Sequence, residues 1–203
     1  MKKLSVLLAV AIIALTVTVQ AQTGYVECEG LFKSMPKGQT PDTYNQTGLL
    51  MSCYLSKTDS NATIGWYAWS LTNKDNWGES YVGLTFSPAS WVSLSAGAGL
   101  ENAVNPWRVN ANIYLSYKKI SLLSVLEHGG SGFWHSSELT YNTKNKFGEG
   151  QGGLVARRYY GIGALVRMTI PYTKNFVITG AIFPYDPELK NSFKASMALR
   201  YTF

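Results

Sequence analysis

Charged side chains at alternating positions of short extended segments are the residues best placed to do chemistry. They share one polar face and comprise Glu27, Glu29, Glu79, Glu101, Glu127, Glu138 and Glu149, with Arg108, Arg157, Arg167, Lys194 and Arg200. The acids lie mostly in the first eight segments and the bases mostly in the last four. If the segments close around water, an acidic wall lies beside a basic one. The electric field between two such walls aligns dipolar solutes. The candidate pore-lining residues are Glu79, Glu101, Arg108, Glu138, Arg157, Arg167, Lys194 and Arg200.

Cys28 and Cys53 are the two cysteines of the chain. Their midpoint, 40.5, falls in the loop predicted between the first two strands. Residues that are symmetric about a hairpin loop lie opposite each other, and an exported chain meets oxidising conditions. A cross-strand disulfide is therefore predicted; the alternative is two neighbouring small apolar residues.

His135 and Ser137 share a predicted outward face, where the histidine could act as general base for the serine. This His-x-Ser pair resembles that of outer membrane phospholipase A, also a twelve-stranded barrel, and the resemblance implies a lipid-facing hydrolase. The family pattern continues with Asn-Gly, whereas Glu138 and Leu139 follow here. We therefore expect no enzyme, and the hydrolase remains a third alternative.

Other kinds of site have little support in the sequence. His128 has no second ligand at a metal-binding spacing, and the glycines from Gly148 to Gly153 lack both the GxGxxG frame and a following helix. The formal net charge of +6 comes from scattered basic residues. We therefore expect no metal, no cofactor and no nucleic acid, while the positive excess suits anionic lipid headgroups.

The elements that position these side chains are strands. From Phe193 to Phe203, apolar and polar residues alternate, as expected for a strand with lipid outside and water or polar packing inside. Turn signals predict an all-β, antiparallel, up-and-down transmembrane β-barrel of about twelve strands, with ten as the alternative. The predicted strands are 24–34, 47–57, 61–72, 77–88, 90–101, 106–118, 119–127, 132–143, 147–158, 161–170, 174–184 and 192–203.

Both ends of the sequence indicate export. Lys2 and Lys3 precede an apolar run, and Val19-Gln20-Ala21 offers a cleavage site, so residues 1–21 read as a secretory signal peptide. Residues 22–203 are then the barrel domain. The C-terminal strand resembles the β-signal of bacterial outer-membrane proteins. That resemblance implies recognition of Tyr201 and Phe203 by the barrel-insertion machinery, and it places the protein in outer-membrane lipid.

The size and short turns resemble twelve-stranded outer-membrane channels for acidic sugars, which line the pore with basic residues. Arg157, Arg167, Lys194 and Arg200 could form such a track, but seven glutamates dilute it. The leading function is a narrow channel for passive diffusion of small polar solutes. The alternative is a non-conducting structural or binding barrel that acts through its outer loops, its middle filled with paired charges.

Overall fold

The computed structural model describes residues 22–33, 42–57, 62–73, 75–145, 148–173, 175–184 and 193–203. Twelve strands make up this part of the chain. They are β1 (Gln22–Lys33), β2 (Asp42–Lys57), β3 (Thr63–Asn73), β4 (Gly78–Ala89), β5 (Val92–Glu101), β6 (Trp107–Tyr117), β7 (Ile120–Gly129), β8 (Gly132–Asn145), β9 (Gly148–Arg157), β10 (Gly161–Thr169), β11 (Phe176–Phe183) and β12 (Lys194–Thr202). No helix of the described ranges has the length and apolar character needed to span a membrane.

The strands form a closed antiparallel barrel in which each strand pairs with the next along the chain. The first and last strands, β1 and β12, pair to close the barrel. This seam runs from Tyr25 opposite Thr202 to Lys33 opposite Lys194. Main-chain hydrogen bonds between Gly24 and Phe203, of 3.2 and 3.0 Å, extend it by one further pair. The predicted twelve strands are confirmed and the ten-stranded alternative is wrong. The predicted signal peptide lies outside the described residues.

The two ends of the barrel differ. We call the end where β1 begins and β12 finishes the terminal end; it also carries the turns β2–β3, β4–β5, β6–β7, β8–β9 and β10–β11. The opposite end, which we call the loop end, carries the remaining connections. Three of these lie wholly within the described residues and are short: 102–106, 130–131 and 158–160.

Side chains alternate between the two faces of the barrel wall. In β6, Trp107 and Val109 are 69% and 56% exposed, whereas Arg108 and Asn110 are buried. The same alternation in the other strands gives an outer face rich in exposed Leu, Ile, Val, Phe and Met. So large an apolar surface is unstable in water and is satisfied by lipid. The polar side chains, in contrast, turn towards the lumen.

The register of the first hairpin contradicts the predicted disulfide. Cys28 lies opposite Thr47, and Cys53 lies opposite Gln22. The cysteines are thus six residues out of register, about 20 Å along the strand at 3.3–3.4 Å per residue, beyond the reach of a disulfide. Cys28 is a free, exposed cysteine. The prediction is wrong because β2 begins at Asp42 and not at residue 47, which moves the centre of the hairpin to 37.5.

Candidate functional site in the barrel lumen

The largest buried charge group of the lumen, here called the Arg108 cluster, consists of Arg108, Glu79, Glu101 and Glu127. The Arg108 guanidinium contacts the Oε2 atoms of Glu79 at 3.1 Å, Glu101 at 2.7 Å and Glu127 at 3.1 Å. None of these four side chains is more than 6% exposed. Three carboxylates therefore surround a single cation in a site almost without water.

Strand register explains why the cluster forms. Glu79 on β4 lies directly opposite Glu101 on β5, an arrangement of like charges that is unfavourable by itself. Arg108 and Glu127 occupy the inward face of the next two strands, β6 and β7, near the same end of the barrel. The arginine thus reaches carboxylates on both sides, and each of its three nitrogens has a partner.

Two hydroxyl groups complete the Arg108 cluster. The Tyr81 hydroxyl accepts a 2.5 Å hydrogen bond from Arg108 Nε and donates one of 3.1 Å to Glu79. At the loop end, the Ser131 hydroxyl accepts a hydrogen bond from Arg108, and the Ser131 amide donates one of 2.5 Å to Glu101 Oε1. These contacts fix the cluster to the strands and to the β7–β8 turn.

Two further contacts cross the lumen, because they join strands that are not neighbours. Arg157 on β9 forms a 2.9 Å ion pair with Glu29 on β1, with three strands between them around the wall. Gln46 on β2 donates a 2.5 Å hydrogen bond to the other oxygen of Glu29. The Tyr67 hydroxyl on β3 donates to Asn110 Oδ1 on β6 at 2.6 Å. Both contacts narrow the passage.

The remaining lumen arginines have one carboxylate each. Arg167 contacts Glu138 at 2.9 Å, and Arg200 contacts Glu27 at 2.9 Å. The Arg200 guanidinium also lies 3.9 Å from the centroid of the Tyr25 ring. Acids and bases are therefore in direct contact here, whereas the sequence suggested two separate charged walls. The electric fields of the acid and the base in each ion pair therefore largely cancel.

An apolar group occupies one side of the lumen. It consists of Val155, Leu165, Ala181 and Phe183 on β9 to β11, with Tyr160 packed against it. The Tyr160 ring lies 5.4 Å from the Phe183 ring, 5.6 Å from the Arg157 guanidinium and 5.2 Å from the Lys194 ammonium. Lys194 also donates to the Tyr159 carbonyl. Together with the Arg157–Glu29 pair, this packing constricts the loop-end half.

The terminal end is more open. A cavity of about 490 Å³ lies there, lined mainly by polar side chains. Its charged lining residues are Lys119, Lys144, Glu149 and Arg167. Lys144 and Glu149 form a 3.1 Å ion pair at the rim and are 82% and 70% exposed. Among the described residues, no group of three His, Cys, Asp or Glu side chains is arranged to hold a metal ion.

All eight candidate pore-lining residues lie on the inner face, although that they line a conducting pore stays a prediction. Glu79, Glu101 and Arg108 form one cluster, and Glu138 forms an ion pair with Arg167. Arg157 and Lys194 both contact the Tyr160 ring, while Arg200 lies apart from the other seven. Sequence reasoning missed the tyrosines at 67, 81 and 160, which face inward and fill space. For Tyr67 and Tyr81, the alternation of inward and outward positions along their strands was the available signal. Tyr160 lies in a turn, where no such alternation exists.

The outward His135 and Ser137 have other neighbours in the structure. The Ser137 hydroxyl is 2.8 Å from that of Ser124 on the adjacent strand, and the His135 ring packs against Phe133 at 5.8 Å between centroids. Tyr201 and Phe203 are 41% and 47% exposed on the outer face. Recognition of these two aromatic residues by insertion machinery stays a prediction.

Comparison with known proteins gives similarity at the level of fold. No protein-family model matches the sequence, and no curated protein matches it. The KdgM porin in complex with disordered oligogalacturonate superimposes with a TM-score of 0.52 and 13% identity, over 88% of this chain and 99% of that one. A second structure of the KdgM porin gives 0.48 and 14%, over 87% and 99%. The chain therefore shares the barrel fold of a porin.

Proposed function

We propose that the protein is a narrow outer-membrane channel for passive diffusion of small polar solutes, with its terminal end towards the periplasm. The observation that carries this proposal is the polar inner face that opens into the 490 Å³ cavity at the terminal end. A volume of this size accommodates a small molecule. The fold shared with a porin solved with oligogalacturonate supports a role in solute passage.

The charges of the lumen favour neutral or zwitterionic solutes over polyanions. Arg157, Arg167 and Arg200 each contact a carboxylate at 2.9 Å, so none offers an uncompensated cation to a passing anion. Local ion pairs of opposite orientation can instead interact with both ends of a dipolar solute. A narrow passage also excludes large solutes by size.

The Arg157–Glu29 pair is one constriction of the proposed path. It joins two strands across the lumen, and its removal therefore widens the path. Single-channel conductance in planar bilayers tests this directly. We expect discrete steps from the wild type and larger steps from the double variant Arg157→Ala, Glu29→Ala, in which neither charge is left without its partner.

The hydrogen bond between the outward hydroxyls of Ser124 and Ser137 provides the control, because it joins neighbouring strands outside the lumen. The double variant Ser124→Ala, Ser137→Ala should conduct like the wild type. A silent wild type, shown to be folded by heat-modifiable gel mobility, contradicts the proposal. If the Arg157 double variant alone then conducts, this pair closes the native barrel. If both are silent, the lumen is filled and the protein acts through its outer surface.

A further inference from the structure

An apolar groove lies on the outer surface at the terminal end, separate from the lumen. It has a volume of about 560 Å³ and is lined by Trp91, Leu115, Ser116, Tyr117, Ile120 and Leu122. The β6–β7 hairpin supplies one wall, because Leu115 pairs with Leu122 and Tyr117 pairs with Ile120 on the outward face. Trp91 in the β4–β5 turn supplies the other wall. Its carbonyl accepts a 2.8 Å hydrogen bond from the Ser116 amide.

A lysine stands at the edge of this groove: Lys118 contacts its lining residue Tyr117, whereas the next residue, Lys119, lines the lumen cavity. Lys118 and Lys119 form the β6–β7 turn, and both are exposed. The Lys118 ammonium lies 5.2 Å from the centroid of the Tyr117 ring, and that of Lys119 lies 5.7 Å from the centroid of the Tyr141 ring. Among the described residues neither ammonium has a carboxylate partner. The groove is therefore apolar along its length and cationic at its mouth.

The backbone of the turn adds an independent observation. Lys118 has a φ of 53°, in the left-handed region that glycine and asparagine adopt more readily. A lysine at this position costs backbone energy that a glycine would avoid. A two-residue hairpin turn requires such a φ, and the lysine that adopts it here offers a cation beside Tyr117.

We propose that the groove binds one anionic phospholipid, with an acyl chain against Trp91, Leu115 and Ile120 and the phosphate on Lys118. Charge complementarity selects this occupant, because a second copy of a chain with formal charge +6 brings no general excess of acid to Lys118. Lysines at a membrane surface attract anionic headgroups in this way. The inference rests on the membrane placement of the proposed function and is independent of whether the barrel conducts.

Quenching of tryptophan fluorescence by brominated lipids tests the inference without any measurement of conduction. The full barrel is reconstituted in phosphatidylcholine vesicles that contain equal fractions of dibrominated phosphatidylglycerol or dibrominated phosphatidylcholine. We expect stronger quenching by the phosphatidylglycerol, with the excess lost in Trp91→Phe. The apparent affinity should fall about fivefold in Lys118→Gln.

Lys144→Gln is the matched control, because Lys144 is an exposed cation at the same end but already pairs with Glu149. It should retain the wild-type preference. Equal quenching by the two lipids, or an excess that survives in Lys118→Gln, overturns the inference. Quenching of Trp91 by neither lipid also overturns it, since the groove is then covered by protein such as a second copy. Heat-modifiable mobility verifies that each variant is folded.

Discussion

Arg108 is expected to stabilise the barrel far more than any one of its acidic partners. It is the single cation among Glu79, Glu101 and Glu127, with contacts of 2.7–3.1 Å and side chains at most 6% exposed. Arg108→Met leaves three carboxylates buried together without a counter-charge. Removal of one partner from a buried ion pair costs about 3–5 kcal/mol, so we expect the free energy of unfolding to fall by at least that amount.

Glu127→Gln should behave differently, although it removes a contact to the same guanidinium. The variant removes one of the three carboxyl groups around the single arginine, while Glu79 and Glu101 still hold Arg108. The lost hydrogen bond and the relieved repulsion oppose each other. We expect a change below about 1 kcal/mol, a clear contrast with Arg108→Met.

Urea unfolding of the barrel in lipid vesicles, followed by tryptophan fluorescence and heat-modifiable mobility, measures both variants. A third protein, with Arg108→Met combined with Glu79→Gln and Glu127→Gln, should recover part of the lost stability, because fewer charges stay unpaired. Equal losses in Arg108→Met and Glu127→Gln would refute the reasoning. So would an Arg108→Met protein as stable as the wild type, since the cluster would then be hydrated.

Three further predictions concern packing, the thiol and the faces of β12. Gly97→Ala should destabilise by about 1–3 kcal/mol in urea unfolding, since a Cβ there would lie 2.5 Å from the Tyr67 hydroxyl; an unchanged midpoint would mean that the tyrosine moves aside. Non-reducing peptide mapping of freshly isolated protein should find Cys28 as a free thiol, and a disulfide-linked peptide would contradict the register. In a background without native cysteines, Arg200→Cys should react with a soluble thiol reagent and Leu199→Cys should not. Reaction of Leu199→Cys alone would show that the assigned lumen and lipid faces of β12 are exchanged.

Most of the barrel wall could be predicted because its signals are local. Each strand carries its own alternation, and inward positions such as Arg108, Arg167 and Arg200 follow from parity within one strand. The short β6–β7 turn at Lys118 and Lys119 fixes the register of its hairpin from sequence alone. For the same reason, the twelve strands and the face of each described charge agree with the structure.

The first hairpin shows where local signals fail. Alternation continues only weakly between residues 42 and 46, so the predicted β2 began five residues late. The pairing centre then shifted from 37.5 to 40.5, and residues opposite each other shifted by twice that amount. An error of a few residues at a strand boundary therefore changed a pairing by six, enough to place Cys53 opposite Cys28.

Contacts across the lumen depend on many registers together. The Arg108 cluster spans four consecutive strands, so three hairpin registers determine it; its members were predicted to face inward but not to contact one another. The Arg157–Glu29 pair joins residues 128 apart in sequence, and its level in the barrel depends on every hairpin between them and on the stagger at the seam. Small uncertainties in each register accumulate around the wall. The inward charges are thus predictable as a set while their cross-lumen partners are not, and it is these partners that determine where the proposed channel is narrowest.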